Sequence, residues 1–79
     1  MELEILTPKG LEFKGEASKI ILPTKNGQIT ILPNHEPLIS VLAQGVMQIT
    51  AQNNIIKKEI EGGIIEVCAN TAVILLKNF

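Results

Sequence analysis

The sequence predicts a single all-β domain over residues 1–79, and two observations favour this class. Turn signals recur at short, regular intervals, and no segment between them has the apolar spacing of a helix. Apolar residues make up 46% of the chain but aromatic residues only 3%. The core must therefore be aliphatic, and Ile and Val favour strands. We predict a β-sandwich or barrel.

The clearest local pattern is a short alternating segment, residues 28–31, bracketed by two Leu-Pro steps at Pro23 and Pro33. Proline lacks a backbone N–H and restricts the residue before it, so each step should end or edge a strand. Asn34 follows where a tight turn is expected. The result is a proline-restricted corner that carries His35, the single histidine of the chain.

Further strands are predicted over residues 2–7, 11–22, 46–51, 55–60 and 64–69, and over the continuously apolar run 72–76. Gly15 interrupts the second of these and is read as a bulge. Residues 38–42 could form one turn of helix or a short strand, and a strand is favoured because Pro37 and Gly45 leave little room for a stable helix. Turns are predicted at 8–10, 25–27, 53–54, 62–63 and 70–71.

Composition excludes several classes of function. The net charge is −1 and arginine is absent, which argues against nucleic acid as a partner. The one cysteine, Cys68, allows no internal disulfide and fits a reducing compartment. The N-terminal residues do not form a signal or transit peptide, and no apolar run approaches the ~20 residues of a membrane span.

Candidate catalytic and metal-binding residues do not form a set. His35 has no second histidine and no neighbouring nucleophile, and Cys68 lies far along the chain. The Gly62-Gly63 pair lacks the Lys-Ser/Thr ending of a phosphate-binding loop. We therefore predict no catalytic residue, no metal and no cofactor.

Two runs, 20–22 and 72–76, are apolar at every position. In a two-layer fold one face of each sheet is covered, so part of this surplus should meet a partner. A closed barrel with a covering loop is the alternative.

Several motifs together resemble a known family, the epsilon subunits of F-type ATP synthases, called delta in mitochondria. These motifs are Leu22-Pro23, the segment 27–31, the corner Leu32-Pro33-Asn34-His35-Glu36-Pro37-Leu38, Gly45-Val46 and Gly62-Gly63-Ile64-Ile65-Glu66-Val67. The resemblance covers the whole chain. It implies a flattened, ten-stranded β-sandwich, which is the amino-terminal domain of that subunit.

The resemblance also implies a function: a non-catalytic subunit of the central stalk that links the gamma subunit to the membrane c-ring and supports proton-driven ATP synthesis. The chain would be peripheral to the membrane, on the cytoplasmic face in bacteria or at an organellar inner or thylakoid membrane, and a monomer when isolated. By position, the residues implied to contact the c-ring or gamma are Gln28, Ile29, Thr30, Ile31, Asn34, His35, Glu36, Val73 and Leu75.

Two departures from the family pattern modify this expectation. The family commonly has an acidic residue where this chain has Gln28, so a charge-assisted contact would become a neutral hydrogen bond. Family members usually continue into a carboxyl-terminal helical hairpin that can restrain ATP hydrolysis. This hairpin is absent from the sequence, and we expect neither an inhibitory element nor a nucleotide site.

The alternative is a carrier domain of the biotinyl/lipoyl type, which is also a flattened β-sandwich. Such a domain displays a lysine at a hairpin tip, usually beside methionine. Here Met47 is followed by Gln48, so the expected attachment point is missing.

Overall fold

The chain folds into nine β-strands without a helix in a computed structural model that describes residues 1–79. The all-β prediction is confirmed, with nine strands in place of ten. The strands are β1 (Glu2–Thr7), β2 (Gly10–Glu16), β3 (Lys19–Thr24), β4 (Gly27–Ile31), β5 (Leu38–Leu42), β6 (Gly45–Ala51), β7 (Asn54–Ile60), β8 (Gly63–Cys68) and β9 (Thr71–Leu76).

Hydrogen bonds join the strands in the order β2-β1-β9-β8-β5-β3-β6-β7, and β4 pairs with β3. The link between β5 and β3 is a single pair, Thr24 with Leu42, so the sheet divides there. One layer contains β2, β1, β9, β8 and β5, and the other contains β4, β3, β6 and β7. All pairs are antiparallel except β1 with β9. The two layers form the predicted sandwich.

The core lies between the two layers and is aliphatic. Sixteen hydrophobic residues are buried in one cluster, and no polar side chain is buried. Along β1, Leu3 and Ile5 point inward while Glu2 and Glu4 point outward. The same alternation puts Met47 and Ile49 inside. At ~25 cal/mol per Å² of apolar area, this burial is the main stabilising term of the fold.

Two of the hairpin turns lie one residue earlier in the chain than predicted. Gln52 and Asn53 connect β6 to β7, and Ala69 and Asn70 connect β8 to β9. All four residues have positive φ, the geometry of a two-residue type I′ turn, which matches the twist of the strands. The sequence pointed to the asparagines, but Gln52 and Ala69 gave no turn signal.

The predicted bulge at Gly15 is wrong. Gly15 pairs regularly with Leu3, and the register shift falls between Ile5 and Leu6, where Glu12 is the extra residue on β2. The sequence does not indicate this bulge, because an exposed glutamate is compatible with both a regular and a bulged strand.

The predicted long strand over residues 11–22 is two strands, one in each layer. The chain crosses at Ala17 and Ser18, whose N–H groups donate to the carbonyls of Met1 and Thr50, both at 2.8 Å. Because neither residue is Gly or Pro, the crossing left no mark in the sequence. Of the apolar run that follows, the two ends are buried and Ile21 is half-buried, so burial on both sides is confirmed only in part.

Pro23 lies inside β3, one residue before its end, rather than ending it. Its carbonyl accepts the N–H of Ala43 at 3.0 Å. The missing N–H is tolerated because pairing between β3 and β5 is confined to Thr24. The second Leu-Pro step behaves as predicted, since β4 ends at Ile31.

Gly63 should not accept a side chain, because a Cβ there would overlap the carbonyl oxygen of Leu75 on β9. We expect Gly63→Ala to lower the free energy of unfolding by about 3 kcal/mol. The matched control is Gly15→Ala, whose Cβ would meet only the Phe13 ring at an ordinary 3.6 Å. Urea unfolding measures both, and equal stability of the two variants would contradict the prediction.

Ala69 has a φ of 52° and so occupies the left-handed region, which alanine disfavours. We expect Ala69→Gly to raise the free energy of unfolding by about 0.5–1 kcal/mol. The same change in a strand, Ala51→Gly, should lower it by a similar amount. Thermal or urea unfolding of both variants checks the opposite signs; a loss of stability at both positions would refute the turn argument.

Candidate functional site

The sequence-predicted contact residues fall into three separate regions. On β4, Gln28 and Thr30 are exposed on the outer face of the four-stranded layer, Ile29 is half-buried, and Ile31 is fully buried in the core. Asn34, His35 and Glu36 lie in the connection from β4 to β5. Val73 and Leu75 lie on the outer face of the five-stranded layer. The structure therefore brings these residues together within each region but not into one patch.

The connection between β4 and β5 is anchored to the β8–β9 turn. The N–H of Asn34 donates to Oδ1 of Asn70 at 2.8 Å, and Asn34 has a φ of 64°, which confirms the predicted turn. His35 is half-buried and its Nδ1 lies 2.7 Å from the carbonyl oxygen of Glu36. Because a carbonyl only accepts, Nδ1 is the donor. This region, residues 34–36, is called the corner below.

No set of side chains around the corner is arranged for chemistry. The structure contains no group of three or more His, Cys, Asp or Glu residues that could hold a metal ion. His35 lines none of the five principal surface cavities. Cys68 is exposed and unpaired. No helix of a length and apolarity that could cross a membrane is present.

The outer face of the five-stranded layer carries the main apolar surface. Strand register aligns one residue from each strand into a row that crosses the sheet, and every member is aliphatic. From β2 to β5 this apolar row consists of Leu11, Leu6, Leu75, Ile64 and Val41. Leu75 is 50% exposed and Val41 is 60% exposed. Water-exposed aliphatic side chains in a continuous row are unusual for a surface without a partner.

A second row runs parallel to the first, two residues away along four of the strands and three along β2, where Glu12 is the extra residue. It consists of Lys14, Glu4, Val73, Glu66 and Ile39. Lys14 and Glu4 form an ion pair at 3.8 Å, and Ile39 is 72% exposed, the highest value among the large hydrophobic side chains. The two rows together are called the outer face below.

The outer face carries most of the exposed large hydrophobic residues, and of the two apolar runs singled out in the sequence it contains Val73 and Leu75 of 72–76. Five of the nine exposed large hydrophobic residues lie on it: Leu11, Ile39, Val41, Ile64 and Leu75. Sequence reasoning identified Val73 and Leu75 but missed Ile39, Val41 and Ile64. The sequence did contain a signal for these residues, because β5 and β8, like β9, carry apolar residues on both faces of the strand.

The opposite face of the sandwich is more polar. Register places Pro23 beside Gln28 and Ile21 beside Thr30, and continues from Ile21 to Gln48 and Lys57 on the outer side of β6 and β7. This side also exposes two aliphatic residues, Val46 and Ile55. Gln28 lies beside the β3–β4 turn, so it is also separated from the corner by the length of β4. The molecule therefore offers one mainly apolar face, one mixed and more polar face, and a corner that borders the apolar one through Pro37.

Comparison with known proteins identifies the family. The model of the family described as "ATP synthase, Delta/Epsilon chain, beta-sandwich domain" matches residues 1–79. The ATP synthase epsilon chain of Desulfitobacterium hafniense is 42% identical over 73 residues, which are 92% of this chain and 55% of that protein. That of Leptospira borgpetersenii is 36% identical over 75 residues, 95% of this chain and 59% of that one. The chain thus spans little more than half the length of these relatives.

Solved structures show the same fold. A chain of the Tetrahymena thermophila mitochondrial ATP synthase central stalk and c-ring superposes with a TM-score of 0.85 at 23% identity, covering 98% of this chain and 63% of that one. A chain of the Euglena gracilis mitochondrial ATP synthase, solved with its OSCP, F1 and c-ring, gives 0.90 at 22% identity, covering 96% and 49%. With the matched family model and the bacterial relatives, the conclusion is that this chain belongs to the ATP synthase delta/epsilon family, through its β-sandwich domain.

Proposed function

We propose that this chain is a non-catalytic subunit of the central stalk of an F-type ATP synthase, joining a gamma-type subunit to the c-ring and supporting proton-driven ATP synthesis. The observation that carries the proposal is the outer face, because five exposed aliphatic residues on one sheet need a partner to cover them. The relatives are named ATP synthase epsilon chains and a matched assembly is a central stalk with its c-ring, which supports a partner within that stalk.

The outer face is the proposed site for the gamma-type subunit. Its two rows include Val73 and Leu75, and they extend the contact to Ile39, Val41 and Ile64. The corner adjoins this face, since Pro37 and Ile39 line one cavity with Cys68 and Glu66. Asn34, His35 and Glu36 are therefore proposed as polar rim contacts to the same subunit, around an apolar centre.

The c-ring is proposed to meet the opposite layer, where Gln28 and Thr30 are exposed on β4. A neutral amide and a hydroxyl offer hydrogen bonds to polar loops without a fixed charge. Ile29 and Ile31 support this strand from the core side rather than at its surface. Placing the two partners on opposite layers lets one small domain act as a spacer between them.

The proposed mechanism is mechanical. Ion flow turns the ring, and the domain helps to hold ring and shaft together so that rotation reaches the catalytic head. Forty of the 45 backbone hydrogen bonds lie within the strands, and the core is a closely packed aliphatic cluster. Such packing has low compressibility, which suits an element that transmits torque.

The carrier alternative gains no support at the position considered for it. Met47 is fully buried and Gln48 lies in the middle of β6, not at a hairpin tip. A cofactor attached at Gln48 would project from the middle of a sheet instead of from a hairpin tip.

Capture from detergent-solubilised membranes of the source cells tests the assignment as a whole. We expect a tagged copy of this chain to retain a gamma-type subunit and the c-ring, identified by mass spectrometry. A tagged, folded chain that carries Leu75→Glu is the control and should lose the gamma-type subunit. Recovery of neither partner by the unaltered folded chain would refute the proposed function.

Leu75 tests the gamma-type contact directly. Its side chain is half exposed on the outer face, so Leu75→Glu should leave the free energy of unfolding within about 0.5 kcal/mol of the unaltered chain. Burying the new carboxylate against an apolar partner should weaken binding to the purified gamma-type subunit at least thirtyfold, about 2 kcal/mol. Calorimetric titration measures the affinity, and urea unfolding the stability.

Two controls separate surface from core. Thr50→Glu introduces the same charge on the opposite layer and should bind normally. Ile74→Glu, whose side chain is fully buried, should unfold the domain instead. Unchanged gamma binding by Leu75→Glu would show that the outer face is not the contact.

A further inference from the structure

The outer face contains a shallow cavity of about 210 Å³ whose lining is of two chemical kinds. Four walls are aliphatic, and the fifth is the carboxylate-bearing side chain of Glu66. The aliphatic walls are Ile39, Ile64, Val73 and Leu75. A single acidic group is thus set among apolar side chains at the centre of the surface.

Strand register fixes the surroundings of Glu66. On β8 it pairs with Ile39 of β5 on one side and with Val73 of β9 on the other. Ile64 precedes it on the same face. β8 is the fourth of the five strands, so the carboxylate does not project from an edge strand, and any partner that covers the two rows must also cover Glu66.

Glu66 has no cation of its own. The chain forms two ion pairs, Met1 with Glu16 and Lys14 with Glu4, and Glu66 takes part in neither. Lys14 is the one lysine in the two rows, and two strands, β1 and β9, lie between it and Glu66. If a partner covers this face, the cation that pairs with the Glu66 carboxylate must come from that partner.

We propose that this cavity is a socket for one lysine or arginine side chain of the gamma-type subunit, and that Glu66 determines the specificity of the contact. The inference rests on the proposed function and deepens it. A basic side chain fits both parts of the lining, because its methylene stem covers aliphatic walls while its cationic head reaches a carboxylate.

Other occupants fit less well. A wholly apolar side chain would bury the Glu66 carboxylate without compensation, which is costly, and an acidic one would be repelled. A metal ion would need further ligands, and no group of three His, Cys, Asp or Glu residues exists. The lining itself therefore selects a basic group.

Affinity for the purified gamma-type subunit tests the proposal through two substitutions. Glu66→Gln keeps the shape and removes the charge, and we expect about tenfold weaker binding. Glu66→Lys places two cations together and should weaken binding at least a hundredfold. Binding of the unaltered chain should also fall more steeply with added salt than binding of Glu66→Gln. Glu59, exposed on the outer side of β7 in the opposite layer, gives the control variants Glu59→Gln and Glu59→Lys, which should bind normally.

A charge swap identifies the occupant. Each Lys or Arg of the gamma-type subunit is changed to Glu, and one of these variants should restore binding to Glu66→Lys while weakening binding to the unaltered chain. Restoration by none of them would overturn the proposal.

The outcomes separate this inference from the function on which it rests. If the unaltered chain fails to bind the gamma-type subunit, the proposed function fails. If it binds, Leu75→Glu abolishes binding and Glu66→Gln binds as tightly as the unaltered chain or more tightly, the function stands. In that case the carboxylate only keeps the free face soluble, and the socket is refuted. Urea unfolding of the Glu66 variants, expected to match the unaltered chain, excludes misfolding as the cause of weak binding.

Discussion

Aliphatic packing between the two layers is the interaction on which every other feature depends. The buried cluster contains side chains from both layers, such as Ile5 and Ile74 from one and Ile20 and Met47 from the other. No buried polar side chain adds a hydrogen-bonded network to the core. A small domain that gains its stability in this way must commit one face of most of its strands to the interior, and this fixes which residues are left for recognition.

That commitment explains why the recognition surfaces are distributed as they are. Once Ile65, Val67 and Ile74 face inward, their neighbours Ile64 and Leu75 must face outward, and register aligns them. The polar residues of β4 emerge on the other layer by the same rule. Long-range hydrogen bonds then hold the ends of the sandwich: Asn70 accepts from Asn34, so the corner and the β8–β9 turn form one structure.

The sequence predicted the elements better than their assembly. Alternation located β4 and β6 because each strand has one buried side, and Pro37 and Gly45 favoured a strand over a helical turn at β5. The asparagines located turns because their positive φ is a local property. The crossing at Ala17 and the bulge at Glu12 were missed because both are set by what the backbone meets in the other strand or layer. The parallel pairing of β1 with β9 joins the two ends of the chain, and no local pattern encodes it.

The same limit applies to the candidate site. Residues 28–31 and the corner could be singled out from contiguous motifs, but the outer face is assembled from five strands that are distant in sequence. Ile39 lies on β5 and Ile64 on β8, and only the pairing of these two strands brings them to one surface. Neither residue alone therefore suggests a surface. The apolar run of β9 indicated that some partner was needed, whereas the position of Glu66 inside that surface became visible only with the register.

A lone carboxylate in an apolar face has opposite effects in the free and the bound chain. In the free chain Glu66 is hydrated, so it costs little and interrupts an apolar patch that would otherwise favour self-association. In a complex the same group must be paired or pay for its desolvation. A second copy of this face would bring two such carboxylates together, and they would repel each other. A cation on a different partner would instead pair with the carboxylate and stabilise the complex. The arrangement therefore disfavours the face's own copy and favours a partner whose surface is basic and apolar.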